Sequence, residues 1–317
     1  MVDSIIIDLA ISRIPGLRGN EKIELLEKFD YNEGLSALTK KKIEQLLGKS
    51  LKPKLNIDEV KAGAEKDEEA ARKLGISIVS FREERYPPLL REIYDPPILL
   101  FFRGILPDPQ RPLAAIVGTR KPSSLAAGRA FKIGKELGEA GVPVVSGLAL
   151  GIDSMAHRGN IEGRAPTVAV LGSGPDLVYP SSNRPLARQI LLNGGLLISE
   201  YPPGTVPYKS NFPARNRIIS ALARGVLIIE APVKSGALIT AAFALEQGRD
   251  LWVDGLLMSA QGSAGTGALA EEGARPIFTA EEILREWNLE GPSLQTGEQT
   301  EGQSLSAKMA EYLDIKV

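Results

Sequence analysis

The stretch Leu113-Ala114-Ala115-Ile116-Val117-Gly118-Thr119-Arg120-Lys121-Pro122-Ser123 joins an apolar run of strand length to a glycine-containing turn. A helical stretch, Ser124–Ala140, follows it. The same succession recurs down the chain. Apolar runs stand at Val142–Val145, Thr167–Leu171, Leu196–Ser199, Val226–Glu230 and Leu251–Val253, with further helical stretches at Pro185–Leu192 and Ala237–Gln247. Runs that are apolar throughout, instead of alternating, belong to strands covered on both faces, which requires a mostly parallel sheet. Six such strands alternating with helices predict an α/β, Rossmann-like, doubly wound domain.

Residues 1–72 read as a small helical domain: Ile5–Ile11 is apolar, and Ile23, Leu26 and Phe29 follow at helical spacing. Between them, Ile14-Pro15-Gly16-Leu17 forms a turn of helix-hairpin-helix type, readable as a phosphate contact or as a packing turn, with Arg18 in place of the usual second glycine. The Rossmann-like domain is assigned to residues 73–290. Its opening, residues 76–112, carries the proline-interrupted segments Tyr86-Pro87-Pro88-Leu89-Leu90 and Asp95-Pro96-Pro97-Ile98-Leu99 and predicts an extended lead-in. A helix at Glu281–Trp287 closes the domain. Residues 291–317 read as a polar linker and a short tail.

Composition excludes several chemistries. The 317 residues include no cysteine, which removes disulfides, thiolate metal sites and a cysteine nucleophile; the single histidine, His157, removes a histidine-rich metal site. No metal and no cofactor are expected. The start MVDSIIIDLA lacks the basic flank and unbroken apolar run of a signal peptide, and no stretch reaches the roughly 18 apolar residues of a membrane span, so a cytoplasmic protein is expected. Net charge is −1, yet Arg111–Lys135 holds six basic residues and no acidic one, and Thr205–Lys234 holds five against Glu230 alone. A neutral total conceals basic patches of the kind that attract phosphates.

In parallel α/β sheets ligands gather at the carboxyl ends of the strands. There, Gly118-Thr119-Arg120-Lys121 offers close backbone approach, a helix start and a guanidinium, which together suit a phosphate. Ser146–Asp153 supplies small residues, with Asp153 as an acceptor near a helix start and His157 as a satisfied helix histidine. Gly172-Ser173-Gly174-Pro175 begins like a dinucleotide fingerprint, but Leu177 replaces its third glycine. Gly48-Lys49-Ser50 is no P-loop, because Ile43 stands where the first glycine belongs. The densest candidate is Lys209, Phe212, Arg215, Asn216 and Arg217, followed by Lys234-Ser235-Gly236 at another helix start. Cations tracking a backbone beside an aromatic platform are the usual design of single-strand binders. Phe212 fits that role, or alternatively packs beneath a helix beginning near Arg215.

Read in order, Val117–Arg120 (VGTR), Ser146–His157 (SGLALGIDSMAH), Gly172–Asn183 (GSGPDLVYPSSN), Tyr201–Gly204 (YPPG), Phe212–Ser220 (FPARNRIIS) and Ser235–Ala244 (SGALITAAFA) resemble the DNA-processing protein A (DprA, or Smf) family over roughly residues 75–290. The resemblance implies a homodimer without known catalysis that binds and protects single-stranded DNA and helps load the RecA recombinase in natural transformation. It also implies a DNA pocket using Arg120, Lys209, Phe212, Arg215, Asn216 and Arg217. The chain departs from the family at Asp254-Gly255, where a proline-glycine is frequent, and at Gly265-Thr266-Gly267, where a GTN-like turn is usual. No counterpart of the C-terminal winged helix of many members is read here. Two other readings remain: a nucleotide phosphoribohydrolase on a related fold, in which Phe243 replaces the catalytic glutamate and cannot act as acid or base, and a sensor of free nucleotide.

Overall fold

The computed structural model describes residues 2–51 and 55–289; the linker and tail expected from residue 291 lie outside these. Four helices come first: α1 (Val2–Arg13), α2 (Gly19–Lys28), α3 (Lys40–Leu47) and α4 (Ile57–Lys73). Thr39 caps α3 by accepting from the Lys42 amide, and Asn56 caps α4 by accepting from those of Asp58 and Glu59. Their inward faces, including Ile7, Ile11, Ile14, Leu25, Leu26 and Ile43, form one hydrophobic core with Leu99 and Phe101 of the sheet.

The remainder runs β1 (Ser77–Ser80), α5 (Pro88–Arg91), β2 (Leu99–Gly104), β3 (Ala114–Val117), α6 (Ser124–Glu139), β4 (Val144–Ser146), α7 (Ile152–Glu162), β5 (Val168–Val170), α8 (Arg184–Leu192) and β6 (Leu196–Ser199). It continues through α9 (Asn211–Leu222), β7 (Gly225–Ile228), α10 (Gly236–Glu246), β8 (Asp250–Asp254), α11 (Ala264–Glu271), β9 (Arg275–Ile277) and α12 (Ala280–Glu286). The strands form one sheet in the order β1-β2-β6-β5-β4-β3-β7-β8-β9. All neighbours from β6 to β9 are parallel. The doubly wound, mostly parallel sheet is therefore as expected. Both faces are covered. In β3, Ala114 and Ile116 meet α6, α7 and α12 through Ile133, Ala156 and Ile283, whereas Ala115 and Val117 meet α9 and α10 through Ile218, Ile219 and Ala241.

Residues 76–112 depart from an extended lead-in. β1 and β2 pair antiparallel with each other, and β2 pairs antiparallel with β6, extending the sheet. Pro87, Pro88, Pro96 and Pro97 fall between these strands, where no ladder amide is lost. The side chains of β2 alternate: Leu99 and Phe101 enter the core of the N-terminal helices, Leu100 and Phe102 the core beneath α9. That alternation fastens the helical module to the sheet.

Asp254, one of the departures from the family pattern, is fully buried at the end of β8, where its Oδ2 accepts from Arg129 Nε of α6 at 2.7 Å. Arg129 also donates to the Phe278 carbonyl at 2.7 Å, and the Leu256 amide donates to Asp254 Oδ1. A buried charge deprived of its partner is strongly destabilising, whereas removing both charges is far less so. Arg129→Leu is expected to cost about 3–5 kcal/mol in urea unfolding, and the double variant Arg129→Leu/Asp254→Leu to recover much of it. A double variant as unstable as the sum of the two singles would show that the pair does not act as a unit.

Candidate nucleic-acid interface

Strand order reverses at β3, whose neighbours are β4 on one side and β7 on the other. The loops leaving β3 and β7 diverge to opposite faces and open a crevice between them. A cleft of about 740 Å³ lies there, lined by Gly118–Lys121, Ala149, Asp153, Tyr179, Lys209, Phe212, Arg215, Asn216 and the start of α10 at Lys234–Ala237. The geometry thus brings together every residue expected from the sequence to contact DNA except Arg217.

The Gly118 turn is pinned on two sides. The Thr119 amide donates to the Glu230 carbonyl at 2.7 Å, and the Ile152 amide, at the start of α7, donates to the Thr119 carbonyl at 3.2 Å. A Cβ at Gly118 would come within 2.6 Å of the Ile152 side chain, so only glycine allows this approach. Glu230 is buried, and its carboxylate accepts from both the amide and the hydroxyl of Ser123, which caps α6. Arg120 and Lys121 are left exposed at the cleft rim.

Helix α9 begins at Asn211, not near Arg215. Pro213 is its third residue, in the first turn, where backbone amides have no partner within the helix. Phe212, Arg215, Asn216 and Ile219, spaced i, i+3, i+4 and i+7, consequently share the face that lines the cleft. Phe212 is half-buried, and its ring lies over Gly172, where a Cβ would stand 3.0 Å from it. The Arg120 guanidinium sits 5.7 Å from the ring centroid, within cation–π range. Asn216 Nδ2 donates to the Gly236 carbonyl at 3.1 Å, tying α9 to the start of α10, where Ser235 accepts from the Ala237 amide. Lys209 and Lys234 are exposed.

Two arginines expected to contact phosphate are placed otherwise. Arg215 is only 4% exposed and forms part of the cleft floor, where its Nη1 donates to the Gly147 and Val170 carbonyls. Burial pulls its pKa down to about 10, and the neighbouring Asp153 carboxylate opposes that shift, so it stays cationic near neutrality. Asp153, pushed up by burial, accepts from the Gly147 and Ala149 amides. Arg217 points away because two residues along a helix is a turn of roughly 200°. It pairs with Glu200 at 2.7 Å and Asp95 at 3.4 Å on the opposite side of α9.

Tyr179 was not singled out in the sequence, yet it lines the cleft, is 49% exposed, and has its ring centroid 5.5 Å from that of Phe212. The signal was available: an aromatic directly before a proline, as for Phe212, in a polar segment between a strand and a helix. Gly265, Thr266 and Gly267, expected in a turn, lie in the first turn of α11 and do not line the cleft. They fold against Ala231, whose amide donates to Thr266 Oγ1 at 2.9 Å. Phe243 faces a separate small pocket with Tyr94, Arg217 and Gln247.

The family model of DNA recombination-mediator protein A matches residues 77–288. The chain belongs to this family. The X-ray structure of DNA processing protein A (DprA) from Streptococcus pneumoniae has a TM-score of 0.74 at 34% identity, covering 90% of this chain and 98% of that one. A DNA processing protein A structure from Helicobacter pylori, described for its single-stranded DNA binding mode, has a TM-score of 0.59 at 30% identity, covering 67% and 95%. Protein Smf of Synechocystis is 45% identical over 203 residues, which are 63% of this chain and 51% of that protein. This member of the family thus spans about half the length of that relative.

His157, the last residue of the Ser146–His157 motif, is fully buried, with Nδ1 2.7 Å from Thr167 Oγ1. Thr167 donates its hydroxyl hydrogen to the Val144 carbonyl, so the ring must be the donor to Oγ1. Burial, reinforced by Arg215, lowers the His157 pKa to about 3. The unfolded chain binds that proton near pH 6.5. Its contribution is therefore complete above pH 6.5 and is lost as pH falls toward 3, by at most roughly 5 kcal/mol. His157→Asn, which keeps a donor near Nδ1, is expected to flatten the fall of melting temperature between pH 7 and 4 relative to the unaltered protein. Parallel pH profiles for the two proteins would refute the assignment.

Proposed function

We propose that this cleft binds single-stranded DNA with little regard to sequence, and that the protein works by binding and not by catalysis. The observation that carries the reading is Phe212, half-buried in the cleft lining, with Arg120 against its ring and Lys209 and Lys234 on the rim. Mobile cations at the edge suit phosphates, and an aromatic face suits any unstacked base. The Arg215 guanidinium below adds a fixed positive field. Asp153, the acid lining the cleft, is committed to two backbone amides beside Arg215, which disfavours a role as a general base. The Helicobacter relative's described binding mode supports the same assignment.

Protection of incoming strands, help in loading RecA and action as a cytoplasmic homodimer are further parts of this proposal, drawn from family membership. A dimer has a physical motive: two clefts engaged by one strand raise affinity through effective concentration. In light scattering at micromolar concentration the dimer mass is expected, and a monomer mass would remove that motive.

Polarisation titrations at several salt concentrations test the central claim. An oligothymidine is expected to bind more tightly than a blunt duplex of equal length, because a duplex hides its base faces. Arg120→Ala and Lys209→Ala should each reduce the log–log salt slope by about 0.7. Phe212→Ala should cost roughly 1–3 kcal/mol with the slope kept. Arg217→Ala should lower the melting temperature, through loss of the Glu200 pair, and keep the slope. Equal affinity for strand and duplex would overturn the proposal.

A further inference from the structure

We infer that Tyr179 is a second stacking platform, so that the cleft holds two consecutive unstacked bases, one on Phe212 and one on Tyr179. The inference rests on the reading of the cleft as a single-strand site. Tyr179 lies in the loop between β5 and α8 and lines the same cleft as Phe212. Half of its surface is open. A tyrosine that served only the core would be covered, and Tyr179 is not a member of the apolar cluster of Leu171, Val178 and Leu186 on this side.

The geometry of the two rings decides how they would be used. Their centroids are 5.5 Å apart with planes inclined at 41°, so they touch each other. A base sandwiched between two rings needs roughly 7 Å, twice the carbon–carbon contact distance. No base fits between them. Each ring can present only its outward surface, so the two bases would have to be splayed apart, as unpaired neighbours of one strand can be. The exposed Arg120 guanidinium lies within cation–π range of Phe212, so a base stacking on that ring takes its place. A base-paired strand cannot meet these two rings, because its bases are stacked on one another and their faces are covered.

The test uses hexanucleotides in which abasic spacers replace all but chosen bases, so that phosphate charge is constant. Four are compared by fluorescence polarisation: fully abasic, one thymine, two adjacent thymines, and two thymines separated by two spacers. One thymine should bind more tightly than none. Two adjacent thymines should bind roughly 5- to 150-fold more tightly than two separated ones, the affinity equivalent of one further stacked base. Tyr179→Ala and Tyr179→Leu should erase that adjacency gain and keep the salt slope, and Tyr179→Phe should retain it. If adjacent and separated thymines bind the unaltered protein equally while one thymine still exceeds none, the second platform is excluded and the Phe212 site stands. If one thymine binds no better than the abasic strand, stacking fails at both rings and the proposed base contacts fall with it. The comparison on the unaltered protein does not depend on any variant folding.

Discussion

The buried guanidinium of Arg215 is the interaction on which the cleft depends. A cation with 4% exposure is tolerable only where acceptors meet it. Here those acceptors are the Gly147 carbonyl beyond β4 and the Val170 carbonyl at the end of β5, with the Asp153 carboxylate nearby. All of them belong to the carboxyl edge of the sheet. Helix α9 can therefore dock in one register only. Phe212, three residues earlier on the same face, is then directed over Gly172, and Asn216, one residue later, reaches the start of α10. The Gly147 position shows how close the fit is: a Cβ there would lie 2.5 Å from Arg215 Nη2.

Fixed and mobile charges have separate parts in this arrangement. Arg215 cannot follow a phosphate without abandoning its carbonyls, so it acts as a stationary field. Arg120, Lys121, Lys209 and Lys234 stand in solvent and can adjust to a backbone of any sequence. The net charge of −1 is no obstacle. Screening limits exposed charges to about 8–10 Å at physiological salt, so the local cations of the cleft count for more than the total.

Much of the fold was legible because a parallel sheet writes apolar runs separated by helices, and all six runs became strands. β1 and β2 were not, since four prolines dominate the local pattern and the pairing that makes these segments strands is long-range. The site was legible as a concentration of cations near one aromatic, but not in its orientation. A helix started at Arg215 treats Arg215 and Arg217 as one basic cluster. Once Pro213 is allowed within the first turn, helical phase alone sends the two in opposite directions. Tyr179 escaped notice because its loop precedes Phe212 by more than thirty residues, and long-range contacts, the β5–β6 pairing and Asn211 Nδ2 donating to the Gly172 carbonyl, bring the two together.

The opposite face of α9 bears on how substitutions in this segment should be read. Arg217 bridges Glu200 and Asp95, and Asp95 packs against Gly19 at the start of α2, where a Cβ would fall 2.2 Å from its carboxylate. Lys22, one turn further along α2, is pulled down by burial while Asp95 and Glu200 act to hold its charge. One helix thus carries the cleft on one side and the contact with the N-terminal module on the other, with Arg215 and Arg217 as the respective anchors. Removal of either arginine disturbs the same helix and shifts Phe212 by the same route. Loss of DNA affinity alone does not distinguish a phosphate contact from a displaced platform. The salt slope does, because displacing an aromatic ring changes affinity without changing the number of counterions released.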